Sequence, residues 1–324
     1  MEAAAASAAR TVLEKLFPEQ REGLEQAFAA TLKRLVGQRG IEAGIALGEQ
    51  AANDCLAMRA NDGVAVANRY RPATTPGVYV PTTLPASYEW REVKPWIMKR
   101  ASQFRPEPPP ALTSPTWARD YNEIKQLGAK NSDARTPGQT EVARFWTAVG
   151  IATWNPIVRS LATAHPRSLV ENARLFALVN MAAADAYVAV FDGKYTFNFW
   201  RPITAIRNGD LDGNDATSAD GGWLPFVDTP MHPEYPCAHC ITASAVAAVL
   251  ESEFGAGRVS TIEMTSSTAP GVTRRWERLS DYVKEVGNAR VWGGLHYRSS
   301  TEVGERMGKE IGRLVVAAAM RPAR

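Results

Sequence analysis

The sequence predicts an all-α protein: a helical bundle of one domain over residues 1–324, interrupted by a long irregular proline-rich insertion at 61–113. Three observations lead there. Apolar residues recur at spacings of three and four through most of the chain, which is the period of a helix with one buried face. Signals for strands are sparse. Residues 61–113 break the helical period with many prolines and aromatic residues between them. The length of 324 residues, with 45% apolar and 22% charged residues, suits a globular protein with a large core.

Taken in order, residues 11–35 and 41–60 read as two alanine-rich helices. The insertion at 61–113 reads as an ordered belt rather than a linker, because Tyr70, Tyr79, Tyr88, Trp90, Trp96 and Phe104 are costly to leave in water. Ser114-Pro115 starts a helix to about Leu127, since proline is tolerated in a first turn. A further helix spans about 138–149. A long one follows His165-Pro166 to about Val190, and its Asn172, Asn180 and Asp185 read as polar links inside a bundle. Residues 207–235 form a loop. Its Asp210, Asp212, Asn214 and Asp215 are turn formers, because the closing glutamate of a calcium loop is missing. Helices then cover about Ala238–Phe254, stopped by Gly255, and about Thr273–Trp292. The last starts near Ser299, with Ser299 and Glu302 in capping-box register, and ends near Met320.

Composition excludes some classes. The net charge of +3 comes from interspersed acids and bases, so nucleic acid is not an expected partner. No run approaches 18 apolar residues, so no membrane span is expected. The first residues lack the basic start and apolar stretch of a signal peptide, and their small side chains also fit a trimmed remnant. Localisation thus stays open between the cytoplasm and export. The sequence does not set the oligomeric state; a homodimer is one form open to it. Three cysteines make no secreted disulfide framework.

The chemistry concentrates in 190–300. Lys194 and Arg201-Pro202 bracket one segment, Pro236-Cys237-Ala238-His239 forms a second, and Arg290 to His296 a third. The chain has only four histidines, and His232, His239 and His296 lie in or beside these segments. Fixed cations neutralise a tetrahedral oxyanion, one imidazole bonds its central atom, and another moves protons. Seven residues separate Lys194 from Arg201, so a continuous helix would place both on one face. Gly293-Gly294 permits the turn that brings Arg290 to His296. Pro236 precedes a helix, which puts the amides of Cys237 and Ala238 at an anion-binding N-terminus.

These segments resemble the three-part signature shared by vanadium-dependent haloperoxidases and type 2 phosphatidic acid phosphatases. Lysine, six residues, then Arg-Pro is matched by Lys194 to Arg201-Pro202. Pro-Ser-Gly-His is read here as Pro236-Cys237-Ala238-His239. Ser-Arg, five residues, His, three residues, Asp is read as Ala289-Arg290 to His296 and Ser300, so serine stands where the pattern has aspartate. The stretches Arg105-Pro-Glu-Pro-Pro-Pro, Tyr121-Asn-Glu-Ile-Lys and Gln139-Thr-Glu-Val-Ala-Arg-Phe-Trp extend the resemblance over roughly 40–320.

The resemblance implies a haloperoxidase or acid-phosphatase type of helical bundle and a pocket for vanadate, with phosphate as substrate or inhibitor in the same place. By it, His296 bonds vanadium or attacks phosphorus, and His239 is the general acid/base. Lys194, Arg201 and Arg290 hold the oxygens, and the Ala238 amide replaces that of the family glycine. Cys237 replaces the serine as a weaker donor, and Cys240 packs in the helix. His232 stands where related bromoperoxidases carry histidine, which favours bromide. The implied reaction is oxidation of halide by hydrogen peroxide. Still open are a soluble phosphatase acting on small monoesters through a phospho-histidine, a vanadate enzyme of non-halogenating chemistry, and a non-enzymatic oxyanion-binding or thiol redox protein using Cys237 and Cys240.

Overall fold

The structure is a computed structural model, and it describes residues 1–321. The sequence predicts one helical domain. Contacts divide the chain into two compact units, Met1–Asp62 with Arg167–Arg174, and Gly63–Pro166 with Leu175 onward. All the predicted site residues belong to the second unit.

The first unit holds α1 (Glu2–Leu16), α2 (Arg21–Arg34) and α3 (Ile41–Arg59). The helix expected over 11–35 is two helices. Phe17 leaves helical geometry (φ −134°, ψ 64°), and Pro18 after it opens a short 3-10 turn. Small residues let α1 and α3 approach closely: Ser7 Oγ donates to Ile45 O at 3.0 Å, and a Cβ on buried Gly48 would strike the carbonyl of Ala4.

The second unit holds α4 (Pro115–Leu127), α5 (Pro137–Phe145), α6 (Asn155–Ala164) and the 29-residue α7 (Leu169–Phe197), whose opening turn counts with the first unit. Then come α8 (Pro202–Arg207), α9 (Ala238–Phe254), strands β1 (Ile262–Ser266) and β2 (Ala269–Trp276), α10 (Leu279–Trp292) and α11 (Arg298–Ala318). Local chemistry sets several boundaries. Ser114 caps α4 through a bond from the Trp117 amide, and Thr136 and Gln139 form a capping box on α5. Gly255 (φ 95°) ends α9 at its predicted place.

Three expectations need correction. Residues 273–276 belong to an antiparallel hairpin, with Ile262 opposite Trp276, and the helix starts only at Leu279. The period-two burial of β1 and the β-branched Val272 and Thr273 suit a pleated strand. α6 was not anticipated. The capping box at Ser299 does not form: Tyr297 is the N-cap of α11, and the Ser299 amide donates to Asp120 Oδ2 at 2.8 Å.

Helix α7 forms the centre of the core. It is long and apolar enough to cross a membrane by composition, but 67% of its most apolar window is buried inside the protein. Two of its carboxylates, Asp185 and Asp192, are seven residues and nearly two turns apart, so they share a face. Asp185 accepts the amides of Trp96, Ile97 and Met98 at 2.6, 2.9 and 2.8 Å. Asp192 takes a two-pronged bond from Arg105, both prongs at 2.7 Å. The 61–113 belt is thereby fastened to the core helix, and Tyr79, Val93 and Met98 are buried. Asp212 accepts the Asn214 amide within its own turn, so it acts as a turn former, and it also accepts from Trp117 Nε1.

The most extensive helix pair is α9 with α11. Gly304, Gly308 and Gly312 recur every fourth residue and line one face of α11. A Cβ on any of them would meet the backbone carbonyls of Cys237, Ile241 and Ala245 in turn. This contact leaves α9 buried on nearly every side, and each large apolar residue it hides contributes about 1.5–3 kcal/mol relative to exposure.

Candidate active site

Lys194 lies in the last turn of α7, and that helix ends at Phe197, three residues further on. Arg201 is therefore not on the same helix, contrary to the single-face expectation. Asn198 adopts a left-handed conformation (φ 47°), and the belt captures the segment after it: Tyr79 N donates to Asn198 O at 2.8 Å and Trp200 N to Gly77 O at 3.0 Å. Arg201 follows as the extended N-cap of α8, with Pro202 at its first position. At the other side, α10 ends at Trp292 and the chain reverses through Gly294 (φ 77°). A Cβ there would meet Gly128 O and Pro225, so the turn needs glycine for both space and conformation. The amides of Leu295 and His296 close back on Arg290 O.

The structure brings the predicted residues together. Arg201 Nη1 donates to Leu295 O at 2.9 Å and meets His296 Nε2 at 3.3 Å, while Nη2 meets His232 Nδ1 at 2.9 Å and Nε donates to His232 O at 2.8 Å. On the far side of the ring, His296 Nδ1 lies 2.7 Å from Glu234 Oε1, which also accepts the Tyr297 amide at 3.1 Å. Lys194 Nζ donates to Pro233 O and Glu234 O at 3.0 and 2.7 Å. Arg290 Nη1 donates to Trp146 O at 2.8 Å, while its Nε is buried without a partner. His239, in the first turn of α9, meets Ala148 O through Nε2 at 2.9 Å.

These contacts assign tautomers. A guanidinium only donates, so His296 Nε2 presents a lone pair to Arg201. His232 Nδ1 lies between the Arg201 donor at 2.9 Å and the Pro233 carbonyl at 3.2 Å, which call for opposite protonation states, so these contacts assign no tautomer to it. The proton of His296 is then on Nδ1, directed at Glu234. A carbonyl only accepts, so His239 keeps its proton on Nε2 and its Nδ1 is the basic atom.

The charges do not balance. Lys194, Arg201 and Arg290 are at most 3% exposed, and they face one buried carboxylate, Glu234, an excess of two positive charges if that carboxyl is ionised. Burial pushes Lys194 well below its usual range, helped by Arg201, and lowers Arg201 to about 10 and Arg290 to about 9. Burial and then Arg201 and Lys194 hold His232 and His296 well below the ordinary imidazole value. Burial and Arg290 lower His239 to about 3. Burial raises Glu234 to about 7 against the pull of Lys194 and Arg201. A buried anion would relieve every one of the cation and imidazole shifts. A cavity of about 460 Å³ opens onto His232, His239, Arg290 and His296, with Ala238 on its wall; Lys194 and Arg201 do not line it, and Arg201 reaches it through its contacts with His232 and His296. A larger one of about 730 Å³, beside Arg105, Glu107 and Arg306, touches none of these residues.

A family profile described as the VCPO second helical-bundle domain matches residues 174–324, the part that carries all three segments. That match covers a little under half of the chain, and it is the vanadium haloperoxidases that this part of the chain is similar to. Vanadium chloroperoxidase of Curvularia inaequalis is 30% identical over 193 residues, 50% of this chain, and the match spans 31% of that protein's length. The first bacterial vanadium-dependent iodoperoxidase shares the fold with a TM-score of 0.84 at 23% identity, over 98% of this chain and 80% of that one. A holo-type bacterial vanadium-dependent chloroperoxidase does so with 0.75 at 19% identity, over 97% of this chain and 80% of that one.

Two features depart from the three-part signature that the sequence resembles. The first is Glu234, whose carboxyl meets His296 Nδ1 in a chain that carries Ser300 where the signature has an aspartate. The one cue was an acid between two prolines just before the second motif, in Pro233-Glu234-Tyr235-Pro236. The second is the cysteine pair. Cys237 is expected as a free thiol donor and Cys240 as core packing; instead the two form a disulfide across the first turn of α9, so Cys237 has no S–H to offer an anion. The Cys237 amide is also engaged, donating to Ser300 O at 3.3 Å. The Ala238 amide remains at the helix start, where no intrahelical acceptor exists.

Proposed function

We propose that this chain is a vanadate-dependent haloperoxidase that oxidises halide, bromide by preference, with hydrogen peroxide. The observation that carries the reading is the buried excess of positive charge around the His296 Nε2 lone pair, at the base of a cavity open to small solutes. Such a site suits a tetrahedral oxyanion whose central atom bonds one imidazole. His296 Nε2 would hold vanadium, and Arg290, Arg201, the third proton of Lys194 and the Ala238 amide would hold its oxygens. Bound vanadate supplies a Lewis acid that activates peroxide without changing its own oxidation state.

His239 lines the cavity with Nδ1 free, and neutralisation of the field by the anion brings its pKa back towards the range useful for proton transfer. The bromide preference rests on His232, which lines the same cavity and is bound to Arg201. The test is to assay the apo protein with peroxide and bromide, chloride or iodide, with and without orthovanadate, beside a phosphate monoester. Vanadate should switch on bromide oxidation, and phosphate should compete with it. Ester hydrolysis that ignores vanadate would replace this reading with a phosphatase.

A further inference from the structure

We infer that Glu234 is the positioning residue for His296: this chain carries the orienting carboxylate on the loop ahead of α9, and Ser300 on α11 has given up that task. The inference rests on the site proposed above, since it concerns how His296 meets vanadate.

The geometry is specific. Oε1 takes the Nδ1 proton of His296 at 2.7 Å and the amide of the next residue, Tyr297, at 3.1 Å, so one oxygen fixes both the ring and its backbone. With Nδ1 committed, Nε2 must keep its lone pair, which meets Arg201 Nη1 in a ring that lines the cavity. Ser300 is fully buried on the other flank of the carboxylate, and its hydroxyl reaches neither ring nitrogen of His296 by a hydrogen bond. Ser300 Oγ is near enough to the Glu234 carboxyl to favour its charged form, and neither Glu234 Oε2 nor Ser300 Oγ makes a well-formed hydrogen bond among the described residues.

The loop is built to hold it there. Glu234 N donates to Phe199 O at 2.9 Å, and Lys194 binds the carbonyls of Pro233 and Glu234 rather than the carboxylate. Lys194 therefore fixes the backbone and leaves the side chain to His296, its salt-bridge partner among the described residues. A carboxylate kept only for charge balance would pair with Lys194 or Arg201 directly.

The two roles make opposite predictions. If Glu234 served charge alone, removing it would tighten every anion, because three cations would remain. If it orients His296, removing it weakens vanadate, which needs the imidazole bond, and leaves phosphate unchanged or tighter. Vanadate and phosphate affinities are to be measured by calorimetry on apo wild type, Glu234→Ala, Glu234→Gln and the double variant Glu234→Ala with Ser300→Asp. Folding is checked by circular dichroism, and the His296 tautomer by NMR of histidine-labelled protein.

The expected result is a loss of roughly 10- to 100-fold for vanadate in Glu234→Ala, the usual cost of removing a ligand's hydrogen-bond partner. Phosphate binding should be kept, and the Nδ1–H signature of His296 lost. Glu234→Gln retains an acceptor and should lose less. Restoring a carboxylate from α11 in the double variant should recover vanadate binding. Unchanged vanadate affinity in Glu234→Ala, or equal losses for both anions in a folded Glu234→Gln, would overturn the inference. Wild type that binds vanadate but oxidises no halide would sink the proposed activity and leave this inference standing.

Discussion

The two histidines of the site are held in different ways. His296 is 1% exposed and every direction of its ring is specified, by Glu234 behind and Arg201 in front. His239 is half-buried, held by the carbonyl of Ala148, and opens on the cavity. On the proposed function the contrast separates two tasks. An atom that must bond a metal needs a lone pair aimed in advance, and two fixed partners supply that. An atom that moves protons needs access and a pKa that responds to what is bound, and a single backbone contact leaves room for both.

The sharpest way to break this comparison is to delete each ring. His296→Ala should abolish vanadate binding, seen by equilibrium dialysis, and halide oxidation with it. His239→Ala should keep vanadate within a few-fold and lower turnover by roughly 10²–10⁴-fold, the usual share of a positioned acid or base. Equal loss of vanadate affinity in both variants would erase the distinction.

Acidity probes both rings in the apo protein. His232, His239 and His296 all have folded values below 6.5, so below that pH the unfolded chain takes up protons that the native one refuses. Their contribution is present above pH 6.5 and is lost as the pH falls, for His239 down to about 3. Glu234, raised from 4.5 to about 7, has the opposite sign: its contribution is present below 4.5 and is lost as the pH rises through 7. Three imidazoles outweigh one carboxyl, so urea unfolding should show stability falling from pH 6.5 towards 4.5. Phosphate should flatten that slope by filling the positive site. A rise in apo stability over this range would contradict the buried neutral rings.

A third test moves the helix that carries His239 without touching either ring. Gly308→Ala would press a methyl group into the carbonyl of Ile241 on α9. It should cost about 1–3 kcal/mol by overpacking, read from thermal unfolding. Gly23→Ala on α2, where nothing lies within 4 Å, should instead gain roughly 0.5–1 kcal/mol. Similar effects at both positions would mean that α9 and α11 are not in tight backbone contact.

The smallest effect is expected at the cysteines. Protein purified in air should titrate one thiol, Cys55, and three after reduction. Cys237→Ser restores a hydroxyl donor and should preserve or slightly improve vanadate binding. Loss of activity in a folded Cys237→Ser would give the pair a part in the chemistry and bring the thiol redox alternative forward.

Much of this was written locally in the chain. Ser114-Pro115 and Gly255 mark real helix ends, because caps act on amides and carbonyls a few residues away. Gly293-Gly294 does turn Arg290 towards His296, and the spacing of cations and histidines carries the resemblance to the vanadium haloperoxidases on its own. Other features depended on neighbours remote in sequence. The break between Lys194 and Arg201 is made by belt residues Gly77 and Tyr79 that pair with the turn. The α9–α11 contact required the glycine face of α11 to meet the backbone of α9. The hairpin depended on a partner strand to turn a helical-looking stretch into a pleat. The carboxylate that aims His296 comes from Glu234, 62 residues earlier in the chain. Local sequence determines where a helix starts and which charges exist, because those interactions reach only a turn or two. Tertiary packing decides which acid meets which base, because a proton bond of 2.7 Å is made by atoms that share a space rather than a stretch of chain.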